Sequence, residues 1–431
     1  MQKMKDIMVV GFALFAMFFG AGNLIFPPFL GLVSGDSWIT GFTGFILADV
    51  GLALLAILAS AKCNGEVSKV LGRSGKYLSI VLGCSIMICL GPLLAIPRTA
   101  ATTYEMGIMP LVDGFNPIIF SIIFFVLTLV LTIKPSKVID IIGSFLTPTL
   151  LIALAVLIIA GILNPLGDIS HTPMIDNVFA EGINQGYQTM DTLGAAALST
   201  VVIATIVNKG YKDEKLKVKL TLQAGIVASI GLCLVYGGLT YLGATVSNKY
   251  GIDVVQTSLI VNITSMLLGQ PGKIILAIIV GLACLTTSVG LTSATGQYFT
   301  KLTNGKLKYE TIVIIVCIFS AIVSNFGVST IIKFSAPILS LIYPATVTLI
   351  ILTLFGEKIK NDNVFKFSTY MALIVSMLTV ANDFNINIPF ILNLPFAQYG
   401  FNWIVPVVIA GIIGSFIKPK KSNKYKMSKA V

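Results

Sequence analysis

The chain has 431 residues, of which 56% are hydrophobic and 11% are charged, and its formal net charge is +11. Soluble domains carry about 25% charged residues, so this composition excludes a soluble globular protein. The apolar residues form blocks of about 18 or more residues, which is long enough to cross ~30 Å of hydrocarbon. The sequence therefore predicts an all-α polytopic membrane protein.

Twelve apolar blocks follow one another along the chain and predict twelve transmembrane spans. In chain order, spans 1 to 12 cover residues 6–33, 38–60, 77–106, 115–133, 138–163, 184–208, 216–246, 271–301, 309–325, 329–355, 364–382 and 399–417. When alternate loops are assigned to opposite sides, 25 of the 29 Lys and Arg residues fall on one side. The positive-inside rule then places both termini in the cytoplasm. The basic charge thus indicates orientation and does not indicate a nucleic-acid partner.

Span 1 contains an interruption, FFGAGNLIFPP, at residues 18–28. Small residues such as Gly20, Ala21 and Gly22 let helices pack closely, but Asn23 adds a polar amide and the two following prolines lack backbone donors. Irregular backbone is tolerated in a membrane only where protein buries it or a water-filled cavity meets it. A helix broken here would present free N–H groups to an anion and free C=O groups to a cation. Broken helices at the membrane midplane are typical of secondary transporters.

An inverted repeat of five-helix units would place a second break in span 6. Span 6 reads GYQTMDTLGAAALSTVVIATIV at 186–207, with Asp191, Thr192 and Gly194 near its middle. An intramembrane carboxylate is a candidate functional residue, although Asp191 would also suit the N-cap of a half-helix that begins near Leu193. The predicted units are a first repeat at 1–163, a second repeat at 184–355, two additional helices at 364–417 and a basic cytoplasmic tail at 418–431.

Span 8 contains a run of hydroxyl side chains, Thr286, Thr287 and Ser288, within ACLTTSVGLTSATG at 283–296. Such hydroxyls often bond back to their own helix, but oxygen ligands are also what a hard cation prefers. The run therefore indicates an ion site. Two further charged residues lie in spans: Asp49 as a candidate buried acid, and Arg98, which we expect to pair with Glu105 or a lipid headgroup.

Several function classes find no support in the sequence. The six cysteines form no CxxC pair, and LGRSGKY at 71–77 has two residues between its glycines where a phosphate-binding loop needs four. No HExxH or GxSxG motif occurs, and the one histidine, His171, lies in a predicted loop. We therefore expect neither an enzyme nor an organic cofactor.

Three blocks carry a resemblance to a known family. FALFAMFFGAGNLIFPPFLG (12–31), GPLLAIPRTA (91–100) and GYQTMDTLGA (186–195) closely resemble the bacterial branched-chain amino acid carriers of the BrnQ (LIVCS) family, and the likeness extends over the whole chain. This family is similar to the LeuT-like amino acid–polyamine–cation superfamily. The resemblance implies a five-plus-five inverted repeat with two added C-terminal helices and with helices 1 and 6 broken. It also implies cation-coupled import of leucine, isoleucine and valine.

The resemblance further implies roles for individual residues. The Gly-x-Gly-Asn pattern of LeuT-like carriers matches residues 20–23, which implies that the amides of Ala21 and Gly22 bind the substrate carboxylate and that Asn23 lies beside a cation. A sodium site is implied as well, and a register shift of one residue would exchange its Ser288 for Thr286. The implied sodium ligands are Ala16, Phe19, Cys284, Thr287 and Ser288.

The predicted function is sodium-driven symport of branched-chain amino acids across the bacterial cytoplasmic membrane. Substrate and ion would bind between spans 1 and 6, and a bundle of spans 1, 2, 6 and 7 would then rock against the remaining helices. LeuT has no acid equivalent to Asp191, which would receive the substrate ammonium, bind an ion or carry a proton. The alternatives are a proton-coupled carrier, in which Asp191 or Asp49 carries the proton, and a membrane sensor that binds amino acids without transporting them. The expected partners are the amino acid and the lipid bilayer.

Overall fold

The structure is a computed structural model that describes residues 2–63, 65–133, 147–211 and 213–418, and within these ranges it is helical and contains no strand. In the same part of the chain, six helical stretches are long and apolar enough to cross a membrane, and four shorter apolar helices have 10–17 residues. The predicted helical class is therefore confirmed.

The helices are named in chain order. The part of the chain predicted as spans 1 to 5 forms α1 (Gln2–Phe18), α2 (Ala21–Ser34), α3 (Trp38–Ile46), α4 (Leu52–Lys62), α5 (Val67–Gly72), α6 (Lys76–Ile88), α7 (Ala95–Thr103), α8 (Pro117–Ile133) and α9 (Thr147–Leu163). Short π-helical turns at Leu47–Gly51, Cys89–Leu93 and Tyr104–Ile108 interrupt the second and third spans. The beginning of predicted span 5, residues 138–146, lies outside the described residues.

The second part of the chain forms α10 (Val178–Thr189), α11 (Asp191–Asn208), α12 (Glu214–Ala244), α13 (Gln256–Leu302), α14 (Tyr309–Ser324), α15 (Val328–Leu354), α16 (Asp362–Asp383), α17 (Pro389–Leu392) and α18 (Ile404–Phe416). Helix α13 begins 15 residues before predicted span 8 and bends at Gly269, where φ is 62° and ψ is −150°. The predicted tail beyond residue 418 lies outside the described residues.

The first long apolar run is divided between α1 and α2. Gly20 has an extended backbone with φ −124° and ψ −160°, and its N–H donates a 2.9 Å hydrogen bond to Asn23 Oδ1. Pro27 and Pro28 lie inside α2 and cannot donate to carbonyl groups one turn earlier. The carbonyl oxygens of Asn23 and Leu24 therefore receive no backbone N–H from the residues four positions later.

The second interruption separates α10 from α11 at Met190, which has left-handed backbone angles of φ 66° and ψ 12°. This conformation costs a residue other than glycine roughly 1–2 kcal/mol. Helix α11 begins at Asp191, and no side chain caps its first turn. The expectation that Asp191 caps a half-helix starting near Leu193 is therefore wrong, because its carboxylate faces Asn23 of α2 instead.

Glycine contacts join two pairs of helices very closely. A Cβ on Gly31 of α2 or on Gly243 of α12 would lie 1.8 Å from a backbone oxygen of the other helix. A Cβ on Gly44 of α3 or on Gly182 of α10 would lie 2.4 Å and 2.1 Å, respectively, from a backbone oxygen of its partner helix. Only glycine permits such backbone approach between membrane helices. The second half of span 1 thus packs on span 7, and span 2 packs on span 6.

Candidate functional site

A cavity lies where the two interruptions meet. Seven of the predicted site residues line it: Gly20, Ala21, Gly22, Asn23, Asp191, Gly194 and Thr287. Large apolar side chains supply much of the remaining wall, from Met17, Phe18, Leu90, Met190, Leu198 and Leu291. The cavity therefore combines backbone and charged groups at the helix interruptions with an apolar wall. This is the usual composition of a site for a small organic ligand.

Asn23 connects the two interrupted helices. Its Nδ2 donates a 2.8 Å hydrogen bond to Asp191 Oδ2 and a second hydrogen bond to the hydroxyl of Tyr236 on α12. The Tyr236 hydroxyl also lies 3.5 Å from Asp191 Oδ2. All three side chains are buried. A buried charge is stable only when it is paired or hydrogen-bonded, and these contacts supply such partners for the Asp191 carboxylate.

A second carboxyl group, that of Asp49, lies close to the carboxyl group of Asp191. Asp49 is fully buried in the π-helical turn of span 2. The Thr189 hydroxyl donates a 2.7 Å hydrogen bond to Asp49 Oδ1 and accepts a 3.3 Å hydrogen bond from the Asp191 N–H. Asp49 Oδ2 has no hydrogen-bond partner among the described residues. Thr189 therefore links two carboxyl-bearing residues. Thr192 faces the same turn, because its hydroxyl lies 3.3 Å from the carbonyl oxygen of Ala48.

Arg98 projects from α7 toward the end of α10. It is 3% exposed, and its Nη1 and Nη2 donate to the carbonyl oxygens of Gln188 at 2.7 Å and Thr189 at 3.2 Å. The last carbonyl groups of a helix lack partners within it and attract cations, which explains this placement. Glu105 instead accepts hydrogen bonds from Thr257 and Val328. The expectation that Arg98 pairs with Glu105 or a lipid headgroup is therefore wrong.

The hydroxyl run of span 8 is divided between two sides of α13. Thr287 faces the first interruption, since a Cβ on Gly20 would lie 3.1 Å from its Oγ1. Ser288 Oγ lies 3.3 Å from Thr128 Oγ1 of α8, and Ser288 does not line the cavity. Cys284 is fully buried in the packed core. The structure therefore brings Thr287, but not the Ser288 hydroxyl, to the interruption.

Neutral oxygen atoms are present in the hydroxyl run of span 8 and at the end of α1. The Thr286 and Thr287 hydroxyls both donate to the carbonyl oxygen of Ala283, at 2.8 and 3.0 Å. Ala16 and Phe19 are buried in the last turn of α1 and beyond it, where helix carbonyl groups lack partners. Within the described ranges, no three His, Cys, Asp or Glu residues are close enough to hold a metal ion together. Neutral oxygen ligands of this kind suit a hard cation.

Two residues of the site were not predicted from the sequence. Tyr236 contributes a hydroxyl from the middle of span 7, and nothing in its local pattern distinguishes it from a packing tyrosine. Thr189 directly precedes the Met190 interruption. Its position beside Asp191 was the only available signal.

Comparison with solved structures first defines the fold. A structure described as the substrate-bound, outward-open state of a Na⁺-coupled sialic acid symporter is similar, with a TM-score of 0.62 at 14% identity. The match covers 96% of this chain and 90% of that one. At this identity the likeness shows the fold alone, which is that of the LeuT-type membrane transporters.

Comparison of sequences then defines the family. The chain belongs to the family described as "Branched-chain amino acid transport protein", whose profile matches residues 3–421. It is 34% identical to the branched-chain amino acid permease BraB of Bacillus subtilis, over 97% of each chain. It is 36% identical to the branched-chain amino acid transport system 2 carrier protein of Pseudomonas aeruginosa, over 95% of each chain. The predicted family resemblance is thereby confirmed.

Proposed function

We propose that this protein is a secondary active symporter that imports leucine, isoleucine and valine across the bacterial cytoplasmic membrane, driven by a sodium gradient. The observation that carries the proposal is the cavity between the two helix interruptions. It combines groups of opposite charge with a largely apolar wall, which matches a zwitterion with a branched apolar side chain. Family membership supports the same substrate class.

The substrate's orientation follows from the charges around the cavity. The amides of Ala21 and Gly22 begin α2, where the free N–H groups and the helix dipole favour a carboxylate. The Asp191 carboxylate, on the other interrupted helix, suits the ammonium group. Leu90, Leu198 and Leu291 line the apolar wall and would receive the side chain. One methylene in an apolar pocket is worth only ~1–3 kcal/mol, so we expect the three branched amino acids to bind with similar affinities.

Sodium coupling is supported by the oxygen atoms around Thr287 and the end of α1. An ion held there would add positive charge near the substrate carboxylate, so that each ligand would raise the affinity for the other. Proton coupling is the alternative. It is favoured by the closeness of the Asp49 and Asp191 carboxyl groups, which interact directly, because one proton shared by these groups would serve the same electrostatic purpose.

The proposed transport cycle is alternating access in a twelve-span topology with both termini in the cytoplasm. Met17 and Phe18 belong to the half of span 1 before its interruption, and Leu198 belongs to the half of span 6 after its interruption. The positive-inside rule assigns both halves to the cytoplasmic side. Because these residues line the cavity, we infer that it extends toward the cytoplasm. Opening to the outside would require the bundle of spans 1, 2, 6 and 7 to move away from α7.

The decisive experiment is uptake of radiolabelled leucine into proteoliposomes under an imposed sodium gradient or an imposed proton gradient, with protein-free liposomes as the control. Accumulation driven by sodium is the expected result. Accumulation driven only by protons would support Asp191 and Asp49 as the coupling groups instead. Leucine binding without accumulation under either gradient would contradict the carrier function and support the sensor alternative.

A further inference from the structure

The Arg98 side chain reaches the start of α2 as well as the end of α10. Arg98 lines the cavity, and a Cβ added to Gly22 would lie only 2.8 Å from its Nη2. Its guanidinium carbon lies 5.3 Å from the centre of the Phe26 ring, one turn further along α2. The guanidinium group therefore sits beside the backbone that begins α2, so two positive features meet at one end of the cavity.

The hydrogen bonds of Arg98 leave much of its donor capacity unused. A guanidinium group carries five N–H donors, and the two bonds to Gln188 and Thr189 use one each on Nη1 and Nη2. The buried Nε has no partner among the described residues. Within the same ranges, no carboxylate lies within 4.0 Å of Arg98 as an ion pair. The nearby Asp191 interacts with it electrostatically but hydrogen-bonds to Asn23.

Stabilisation of the end of α10 explains only part of this arrangement. Two carbonyl groups fix the guanidinium plane, and such a role would be complete without exposure to the cavity. A buried cation with free donors, next to the N-terminus of a helix, instead favours an anion on its open side. The planar fork of arginine matches the geometry of a carboxylate. The two carbonyl contacts then act to position the group.

We propose that Arg98 binds the α-carboxylate of the transported amino acid, together with the amides of Ala21 and Gly22. This inference rests on the proposed function and adds a side chain from span 3 to the substrate site. It explains why a permanently charged residue is buried at this depth of the membrane. It also predicts that ligand selection depends on the carboxylate, and that removal of the guanidinium weakens this selection.

The test compares binding of leucine with binding of leucinol, which replaces the carboxylate by a hydroxymethyl group, to purified protein in sodium-containing buffer. Wild-type protein should bind leucine more tightly than leucinol. Arg98→Gln should lose roughly 10- to 100-fold in leucine affinity, as expected for a charge-assisted hydrogen bond, with little change for leucinol. Arg98→Lys keeps the charge without the planar fork and should show a smaller loss for leucine alone. Arg98→Lys also provides the test if the Arg98→Gln variant does not fold.

The chain offers a matched control in Arg73, which also donates to two backbone carbonyl groups but does not line the cavity. Arg73→Gln should leave the ratio of leucine to leucinol affinity unchanged. An unchanged ratio of leucine to leucinol affinity in the Arg98 variants would overturn the assignment of Arg98. The proposed function would remain intact. Failure of the folded wild-type protein to bind leucine, isoleucine or valine would overturn both.

Discussion

At the scale of single residues, the site depends on positions where a side chain is absent as much as on those where one is present. Gly22 leaves room for the guanidinium of Arg98, the ring of Phe26 and the backbone of Thr189, which lie 2.8, 3.0 and 3.2 Å from the position of a Cβ. Groups from three helices therefore converge on this glycine. Because Gly22 has no Cβ, its own backbone can approach a ligand closely.

Gly22→Ala should lower leucine affinity by about tenfold or more, because the new methyl group displaces Arg98 and obstructs the start of α2. Displacements of this size in a binding site cost up to about a hundredfold. Binding of radiolabelled leucine to purified protein measures the effect. Gly290→Ala is the control, since a Cβ there meets nothing within 4 Å. Wild-type affinity in the Gly22 variant would contradict the proposed carboxylate site.

Thr287→Ala and Ser288→Ala should have different effects on sodium dependence. The Thr287 hydroxyl faces the interruption of span 1, whereas the Ser288 hydroxyl lies beside Thr128. We expect the first change to raise the sodium concentration for half-maximal uptake several-fold, because a hard cation loses an oxygen ligand. The second change should leave it within about twofold. The opposite ranking would show that the ion site uses the register with Ser288.

The sequence identified the residues of the site that interrupt a local pattern, and it did not identify those that reach the site from elsewhere. The glycine pair of span 1, the acid of span 6 and the hydroxyl run of span 8 can each be recognised from the sequence of a single span. The contact of Asn23 with Tyr236 joins positions 213 residues apart. No local periodicity records it. Arg98 was noticed as a charge within a span, but its partners are backbone carbonyl groups, which every residue carries.

At the scale of helices, the glycine contacts specify which elements lie together. Span 1 packs on span 7 through Gly31 and Gly243, and span 2 packs on span 6 through Gly44 and Gly182. The residue spacing predicted the helices, but not these pairings, because glycines that permit close packing look the same in sequence as glycines that permit bends. The four joined spans are those of the proposed moving bundle.

Gly243→Ala should destabilise the protein by about 1–3 kcal/mol, the range for overpacking in a filled core. Its Cβ would lie 1.8 Å from the carbonyl oxygen of Pro28, and backbone cannot move aside as a flexible side chain can. Thermal unfolding followed by intrinsic fluorescence measures the loss. Gly281→Ala is matched to it, because the nearest atom to a Cβ there is 3.7 Å away. Equal melting temperatures for the two variants would show that α2 and α12 are not tightly joined.

At the scale of the whole molecule, the distribution of basic residues determines the expected orientation. The loop between α12 and α13 should lie outside, and the loop between α13 and α14 should lie in the cytoplasm. The sequence supplies this topology because insertion depends on charge next to each span. The sequence did not predict that the helix of span 8 begins at Gln256 and bends at Gly269, before the predicted start of the span.

Membrane-impermeant maleimide labelling of intact cells tests the orientation. The background variant has its six cysteines replaced by alanine, and Asp253→Cys and Lys306→Cys are introduced singly at exposed positions. Asp253→Cys should react in intact cells, whereas Lys306→Cys should react only after permeabilisation. Reaction of Lys306→Cys in intact cells would show that the protein has the opposite orientation in the membrane.

The three ionisable side chains around the cavity also determine how the membrane voltage acts on the cycle. Arg98 contributes one positive charge. Asp49 and Asp191, whose buried carboxyl groups interact directly, contribute two negative charges when both are ionised and one when they share a proton. A zwitterionic amino acid adds no net charge, and a potential acts on a moving charge with about 2.3 kcal/mol per 100 mV. A carrier that binds its coupling proton on this pair therefore returns empty with a net charge of −1, and the interior-negative potential accelerates that return. A sodium-coupled carrier in which the pair keeps a shared proton instead carries +1 inward with its substrate, and the potential accelerates the loaded step.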